Sequence, residues 1–194
     1  RLSDMDVGRQ LMLINGQWVE SSGGEFIPVE NPSRKGSIVG EVPRGRAEDV
    51  DRAVRAAARA FEEWKRVSPR ERGRLMIRMG EALEVRANEI ARIIALETGN
   101  AIRTQSRPEA MLTADIFRYF GGVASEIKGE TIPLGENLLS YSRREPIGVV
   151  GGIVPWNSPV GLAALKIAMA ITAGNTLVLK PSSETPLAVL TMAQ

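Results

Sequence analysis

The chain has 194 residues, of which 43% are hydrophobic and 25% are charged, the composition of a globular protein of one domain or slightly more. The formal net charge of +2 reflects nearly balanced acids and bases, which argues against the concentrated basic face of a nucleic-acid-binding protein. Cysteine and histidine are both absent, so these residues hold no disulfide, no Cys/His metal site and no thiol or imidazole catalyst. With no long uncharged apolar run, no secretory leader and no Asp/Glu cluster of metal-site spacing, we expect a cytoplasmic protein without metal or membrane contact.

The N-terminal part of the sequence predicts a β ribbon. Short strands are expected over residues 11–14, 17–20, 26–29 and 37–42. Asn15-Gly16, the dipeptide most typical of a tight hairpin, separates the first two, and Asn31-Pro32 turns the chain between the others. We expect this ribbon to cover the edge of a larger sheet.

Three long helices are predicted next, over residues 47–66, 69–98 and, roughly, 108–128. One apolar stripe at helical spacing marks the first: Val50, Ala53, Val54, Ala57, Ala60, Phe61 and Trp64. The segment 68–71 is a capping box with proline at the first helical position, and it opens the second helix, which could restart at Asn88 and ends at 98–100. The third is expected to bury Met111, Ile116, Phe117 and Phe120, although Gly121-Gly122 weakens its continuity.

Residues 129–146 combine turn residues with a short alternating segment. Leu139, Tyr141 and Arg143 alternate with serines and an arginine, the pattern of a half-exposed strand whose free edge needs a partner. Two interpretations stay open: an edge hairpin, or an arm that pairs with another subunit.

The C-terminal part predicts a strand–helix–strand unit. An apolar run over 147–154 is followed by an apolar helical pattern to Ala173, a turn, and a second apolar run that ends at Lys180-Pro181. A further helix is predicted to start near Pro186. Because parallel strands need neighbours and cover on both faces, one such pair indicates that more sheet belongs with this unit.

Polar side chains follow both predicted strands, where open α/β sheets bind their ligands. Asn157 either caps the next helix or aims an amide N–H at a developing oxyanion, a contribution of roughly a hundred- to a thousandfold in rate. Lys180 is either solvated or a donor to ribose hydroxyls or a ribose phosphate, and Ser182 and Ser183 either bind the same ligand or cap the next helix. Lys166, the one charge in the helical pattern, either extends to the surface or pairs near the site.

Two segments together resemble a known family. PIGVVGGIVPWN (146–157) and AGNTLVLKPSSETPL (173–187) are similar to the signature of the NAD(P)-dependent aldehyde dehydrogenases, and INGQWV, ENP and LETGN agree with it upstream. The resemblance covers essentially the whole chain. It implies an α/β fold: an incomplete Rossmann-like parallel-sheet cofactor-binding domain with an N-terminal β ribbon and a β-hairpin oligomerisation arm. Its expected divisions are 1–128 (the N-terminal part of that domain), 129–146 (the arm) and 147–194 (the start of the NAD(P)-binding sheet).

The resemblance also implies roles for single residues. Asn157 matches the asparagine that supports the oxyanion, Lys166 a lysine near the catalytic centre, and Lys180 the lysine that contacts the adenosine ribose. Further positions of the cofactor cleft are matched by Val154, Pro155, Trp156 and Ser182. Ser183 stands where many NAD-preferring members carry a glutamate, and because serine does not repel a 2′-phosphate, both NAD and NADP are admissible.

The reaction implied is oxidation of an aldehyde to a carboxylic acid through a cysteine thiohemiacetal, in a homodimer or homotetramer. Without a thiol the 194 residues cannot perform that covalent step, so the chain alone is expected to be inactive, with the cysteine and the general-base glutamate beyond Gln194. Two alternatives stay open: a relative acting on acyl-phosphate or acyl-CoA-linked substrates, and a non-catalytic scaffold on the same fold.

Overall fold

The computed structural model describes residues 6–194; residues 1–5 of the predicted 1–128 segment lie outside this range. Its strands are β1 (Gly8–Arg9), β2 (Met12–Ile14), β3 (Gln17–Val19), β4 (Phe26–Glu30), β5 (Ile38–Pro43), β6 (Thr131–Pro133), β7 (Leu139–Tyr141), β8 (Val149–Ile153) and β9 (Thr176–Lys180). Its α-helices are α1 (Ala47–Trp64), α2 (Pro69–Thr98), α3 (Arg107–Gly122), α4 (Pro159–Thr172) and α5 (Leu187–Met192). The order gives the mixed α/β architecture with parallel strands that the sequence predicts.

The N-terminal strands form two small sheets of their own. β2 and β3 pair as an antiparallel hairpin whose turn residues, Asn15 and Gly16, both have positive φ, as a tight primed turn requires. β5 lies between β1 and β4. The expectation that this ribbon covers the edge of a larger sheet stays a prediction. Within residues 6–194, β5 approaches α5: a Cβ on Gly40 would lie 3.2 Å from the Leu187 side chain.

Helix α1 buries less of its apolar stripe than predicted. Val50 is 57% exposed and Val54 is 40% exposed, whereas the C-terminal half of α1 packs on the β8–β9 pair. There the Thr176 hydroxyl donates to the Ala57 carbonyl (2.9 Å), and the Trp64 indole N–H donates to the Ile171 carbonyl (3.0 Å). The stripe is therefore a contact surface only where these elements reach it.

Helix α2 is continuous, so the predicted restart at Asn88 is wrong; Asn88 is exposed on its surface. The capping box is confirmed: the Ser68 hydroxyl accepts from the Glu71 N–H (3.2 Å), and the Glu71 carboxylate accepts from the Ser68 N–H (3.4 Å). Gly99, at φ 76°, ends the helix in the left-handed conformation that glycine tolerates.

Helices α2 and α3 approach each other closely through glycines. A Cβ on Gly73 would lie 2.5 Å from the Gly121 carbonyl oxygen, and a Cβ on Gly80 would lie 2.8 Å from that of Ala114. This contact explains a glycine within α3, which ends at Gly122 rather than near 128 and continues as a 3-10 turn, Ala124–Glu126. Ile116 and Phe117 are buried as predicted, but Met111 is 39% exposed and lies outside the hydrophobic core.

The C-terminal unit is the parallel pair β8–β9 connected by α4. The register runs from Val149 opposite Thr176 to Ile153 opposite Lys180. α4 is apolar except for Lys166 and Thr172, and it packs against α3. The β8–β9 pair is thereby connected to the hydrophobic core. No helix within residues 6–194 is long and apolar enough to cross a lipid bilayer.

Candidate functional site

The ends of β8 and β9 lie side by side at one edge of the pair. Ile153 is the last partner of Lys180, and the Val154 N–H donates to the Lys180 carbonyl (3.1 Å). Both strands run parallel, so this edge is the carboxyl end of each, where open α/β sheets place their ligands. Asn157 and Lys180, which the sequence singles out, therefore follow neighbouring strand ends, and both are exposed.

The two loops that leave this edge are tied to each other and to the end of α2. The Thr185 hydroxyl, from the loop after β9, donates to the Trp156 carbonyl in the loop after β8 (3.3 Å). The Asn100 side-chain amide, just beyond α2, donates to the Asn157 carbonyl (3.4 Å). These bonds fix the backbone of 155–157 and leave Pro155, Trp156 and Asn157 exposed at the edge.

A buried glutamate, Glu109 of α3, binds the start of α4. Its Oε1 atom accepts both from the Val160 N–H (2.9 Å) and from the Gly161 N–H (3.0 Å). The residue at the N-cap of α4 is Ser158, without a side-chain capping bond. Asn157 is therefore not the cap of α4, and its carboxamide remains available to a ligand.

A second buried glutamate, Glu97 near the end of α2, binds the start of α5. Its Oε2 accepts from the Leu187 N–H (2.7 Å) and its Oε1 from the Ala188 N–H (3.0 Å). These bonds leave Ser182 and Ser183 free of the capping role. Burial, with a smaller contribution from the negative charge of Glu109, raises the pKa of Glu97 to about 8, although the two backbone bonds act to lower it.

Sequence reasoning missed both glutamates. Glu97 lies three residues after Ile94 and seven after Ile90, on the buried stripe of α2, and it is only 2% exposed. A carboxylate at an apolar-stripe position must find donors, because an isolated buried charge is costly. The position of a glutamate on an apolar stripe is therefore the signal in the sequence that it makes buried hydrogen bonds. The sequence does not indicate which amides donate them, because those amides lie far along the chain.

Polar groups at the end of β9 and just after it can donate hydrogen bonds to a ligand. The Lys180 ammonium donates to the Pro181 carbonyl (3.0 Å), and an ammonium has two further protons to donate. The Ser182 hydroxyl accepts from the Glu184 N–H (3.3 Å), which leaves its own proton for another acceptor, and Ser183 is exposed. A cation and hydroxyls next to an exposed indole suit a ligand with anionic or hydroxyl groups and a flat apolar part.

Comparison with known proteins identifies the family of this chain. The aldehyde dehydrogenase family model matches residues 18–194. The chain belongs to the aldehyde dehydrogenase family. It is 39% identical over 190 residues to aldehyde dehydrogenase 1 of Tanacetum cinerariifolium, covering 97% of this chain and 38% of that protein.

Solved aldehyde dehydrogenase structures share the fold. The NAD-dependent aldehyde dehydrogenase of Sinorhizobium meliloti superposes with a TM-score of 0.94 at 38% identity, covering 100% of this chain and 38% of that one. An NADP-dependent enzyme of E. coli gives 0.91 at 33% identity, covering 96% and 39%. This aldehyde dehydrogenase chain thus spans about two fifths of the length of the relatives it matches.

Two predicted site residues lie away from the exposed edge. Val154 is 2% exposed within the core, so any contact it makes with a ligand comes from its backbone. Lys166 lies two turns into α4, over the face of β8, where it lines a cavity of about 280 Å³ with Gly151, Gly152 and Met169. The other predicted site residues lie at this edge, at the end of β9 or in the two loops that leave it, whereas Lys166 lies on α4: Pro155, Trp156, Asn157, Lys180, Ser182 and Ser183.

Proposed function

We propose that this chain is the N-terminal part of a cytoplasmic aldehyde dehydrogenase that oxidises an aldehyde to a carboxylic acid with NAD(P)+. The observation that carries the proposal is the shared strand edge: the Asn157 carboxamide and the Lys180 ammonium follow paired parallel strands, and both are exposed. Helix capping, the competing role for Asn157, is taken by Glu109 at the start of α4.

The donor set after β9 fits a nicotinamide dinucleotide. Lys180 and Ser182 offer protons to ribose hydroxyls, and Pro155 and Trp156 form an exposed wall beside them. Ser183 adds no negative charge that would repel a 2′-phosphate, so these residues accept NADP as well as NAD.

In the proposed reaction, aldehyde, NAD(P)+ and water give carboxylic acid, NAD(P)H and a proton. A cysteine thiolate adds to the carbonyl carbon to form the thiohemiacetal, and the Asn157 amide N–H donates to the oxygen that gains negative charge. The cofactor, when bound, accepts the hydride. Lys166 is the second proposed catalytic residue, near the centre rather than at the nucleotide edge. With no cysteine among its 194 residues, the chain alone has no nucleophile, so we assign the thiol and the general base to residues outside it.

The proposed domain divisions are 1–128, 129–146 and 147–194. The hairpin β6–β7 supports an oligomerisation arm, since its apolar side chains are exposed, with Leu139 at 83% and Tyr141 at 67%. Ile153, 74% exposed on β8, supports contact with further sheet, because parallel strands are normally covered on both faces. We propose that the arm pairs subunits into a homodimer or homotetramer.

Calorimetric titration of the chain with NAD+ and NADP+ tests the nucleotide part. Lys180→Met is expected to weaken binding by about tenfold, because a charge-assisted hydrogen bond is lost. Lys65→Met, at the far end of α1, is the matched control and is expected to leave the affinity unchanged. Equal affinity in the two variants would contradict the proposal. Aldehyde oxidation by the chain alone would contradict the assignment of the thiol elsewhere.

A further inference from the structure

The loop after β9 is fixed at three points. Its start is held by the Val154 N–H on the Lys180 carbonyl, and its end by Thr185, 1% exposed, on the Trp156 carbonyl. The helix that follows is held by Glu97, which binds its first two amides. The residues between these points, 180–185, therefore have little freedom to move independently of α2.

Glu97 uses both carboxyl oxygens, one for each amide. A glutamine has only one oxygen, so its NH2 group must face either the Leu187 N–H or the Ala188 N–H. A protonated carboxyl group can still accept from both amides, because its hydroxyl oxygen keeps a lone pair that accepts a hydrogen bond. The start of α5 thus requires a carboxyl group in particular.

Glu109 provides the contrast within the same molecule. Both of its hydrogen bonds end on a single atom, Oε1. A glutamine can place its one oxygen at that position and keep both bonds. The same substitution therefore displaces the start of α5 and preserves the start of α4.

We propose that Glu97 is a positioning residue for the nucleotide: it holds the start of α5, and through it the Lys180–Thr185 loop, in the binding arrangement. This inference rests on the proposed function, since it assigns the loop to the cofactor. Glu97 itself is buried and contacts the loop only through backbone amides, so it is not a catalytic residue.

The test compares three glutamate variants of the chain: Glu97→Gln, Glu109→Gln and, as control, Glu81→Gln on the exposed surface of α2. Nucleotide affinity is measured by calorimetry with NADP+ at a temperature where circular dichroism shows each variant folded. We expect binding weakened by about tenfold in Glu97→Gln, where a buried donor loses its acceptor, and unchanged in the other two. Amide exchange by NMR should accelerate at Leu187 and Ala188 only in Glu97→Gln.

The outcomes separate the two proposals. If Glu97→Gln exchanges faster at Leu187 and Ala188 yet binds NADP+ like the unsubstituted chain, the positioning role is wrong and the proposed function stands. If the unsubstituted chain binds no nucleotide, the proposed function fails and the inference falls with it. A purely structural role for Glu97 predicts a lower melting temperature with unchanged affinity of the folded molecule.

A second variant keeps the test decisive if Glu97→Gln does not fold. Thr185→Val retains the shape of a buried side chain and removes its hydroxyl bond to the Trp156 carbonyl. Because the same loop loses a different restraint, NADP+ binding should weaken by roughly threefold, a smaller effect than loss of a buried acceptor. Unchanged affinity would overturn the inference that the anchoring of this loop sets nucleotide binding.

Discussion

The two strand–loop–helix units of the C-terminal part, β8–α4 and β9–α5, follow the same plan with one difference. In both, a parallel strand ends at the exposed edge and the next helix begins on a buried glutamate. Glu109 serves α4 with one oxygen, whereas Glu97 serves α5 with two. The first unit presents the carboxamide of Asn157 and the second the ammonium of Lys180. In both units, the helix that follows the exposed edge therefore begins on a carboxyl group from a distant part of the chain.

The largest expected effect distinguishes catalysis, proposed for the first unit, from nucleotide binding, proposed for the second. In the longer aldehyde dehydrogenase proposed above, Asn157→Ala should lower kcat by roughly a hundred- to a thousandfold, because the proposed donor to the oxyanion is lost. The dissociation constant of NAD(P)+ should change little, since the hydrogen bonds proposed for the ribose come from Lys180 and Ser182 rather than from the Asn157 carboxamide. Steady-state kinetics with Asn88→Ala as control checks this. If the substitution weakened only cofactor binding and left kcat unchanged, the proposed role of Asn157 at the oxyanion would be wrong.

A second prediction concerns the contact between α2 and α3, the helices that carry the two buried glutamates. Glu97 belongs to α2 and Glu109 to α3, and these helices touch at Gly121, where a Cβ would lie 2.7 Å from the Gly73 carbonyl oxygen. Gly121→Ala should lower the free energy of unfolding by about 3 kcal/mol, since the helices must separate. Gly122→Ala, where a Cβ meets no atom within 4 Å, is the matched control and should change it little. Urea unfolding followed by circular dichroism measures both; equal losses would contradict the close helix contact.

A third prediction sharpens the contrast between one oxygen and two. Glu109→Ala leaves the Val160 and Gly161 amides without their acceptor and should cost about 2 kcal/mol of unfolding free energy. Glu109→Gln retains an oxygen in the same place and should cost well under half of that. Thermal unfolding of the two variants decides, and an equal cost would mean that the charge, rather than the accepting atom, stabilises α4.

The last prediction is a pH dependence of stability that arises at Glu97. Burial raises its pKa from 4.5 to about 8, so the folded chain keeps a proton that the unfolded chain releases near its ordinary pKa. The stability that this group contributes is complete below about pH 4.5 and is lost as the pH rises to about 8. Urea unfolding across this window should show the free-energy difference between wild type and Glu97→Gln shrinking. Parallel curves would contradict a raised pKa.

Much of this arrangement could be predicted from the sequence, and the rest could not, for physical reasons. Local signals predict the capping box at Ser68, the hairpin at Asn15-Gly16 and the ends of the two parallel strands, shortly before Asn157 and at Lys180, because each depends on neighbouring residues. The burial of α1 could not be read from its stripe, since Val50 and Val54 find no covering element among residues 6–194. The roles of Glu97 and Glu109 depend on amides 91 and 51 residues away, which periodicity does not report.

The most direct test of the central claim is a map of amide chemical shifts in the chain during titration with NADP+. We expect the largest chemical-shift changes at residues 156–157 and 180–183, with little change elsewhere. Three arginines, Arg52, Arg55 and Arg59, line a groove between the β2–β3 hairpin and α1, and this groove is the alternative place for an anionic ligand. Shift changes concentrated along that groove, with the strand edge unaffected, would contradict the assignment of Asn157 and Lys180 to one nucleotide site.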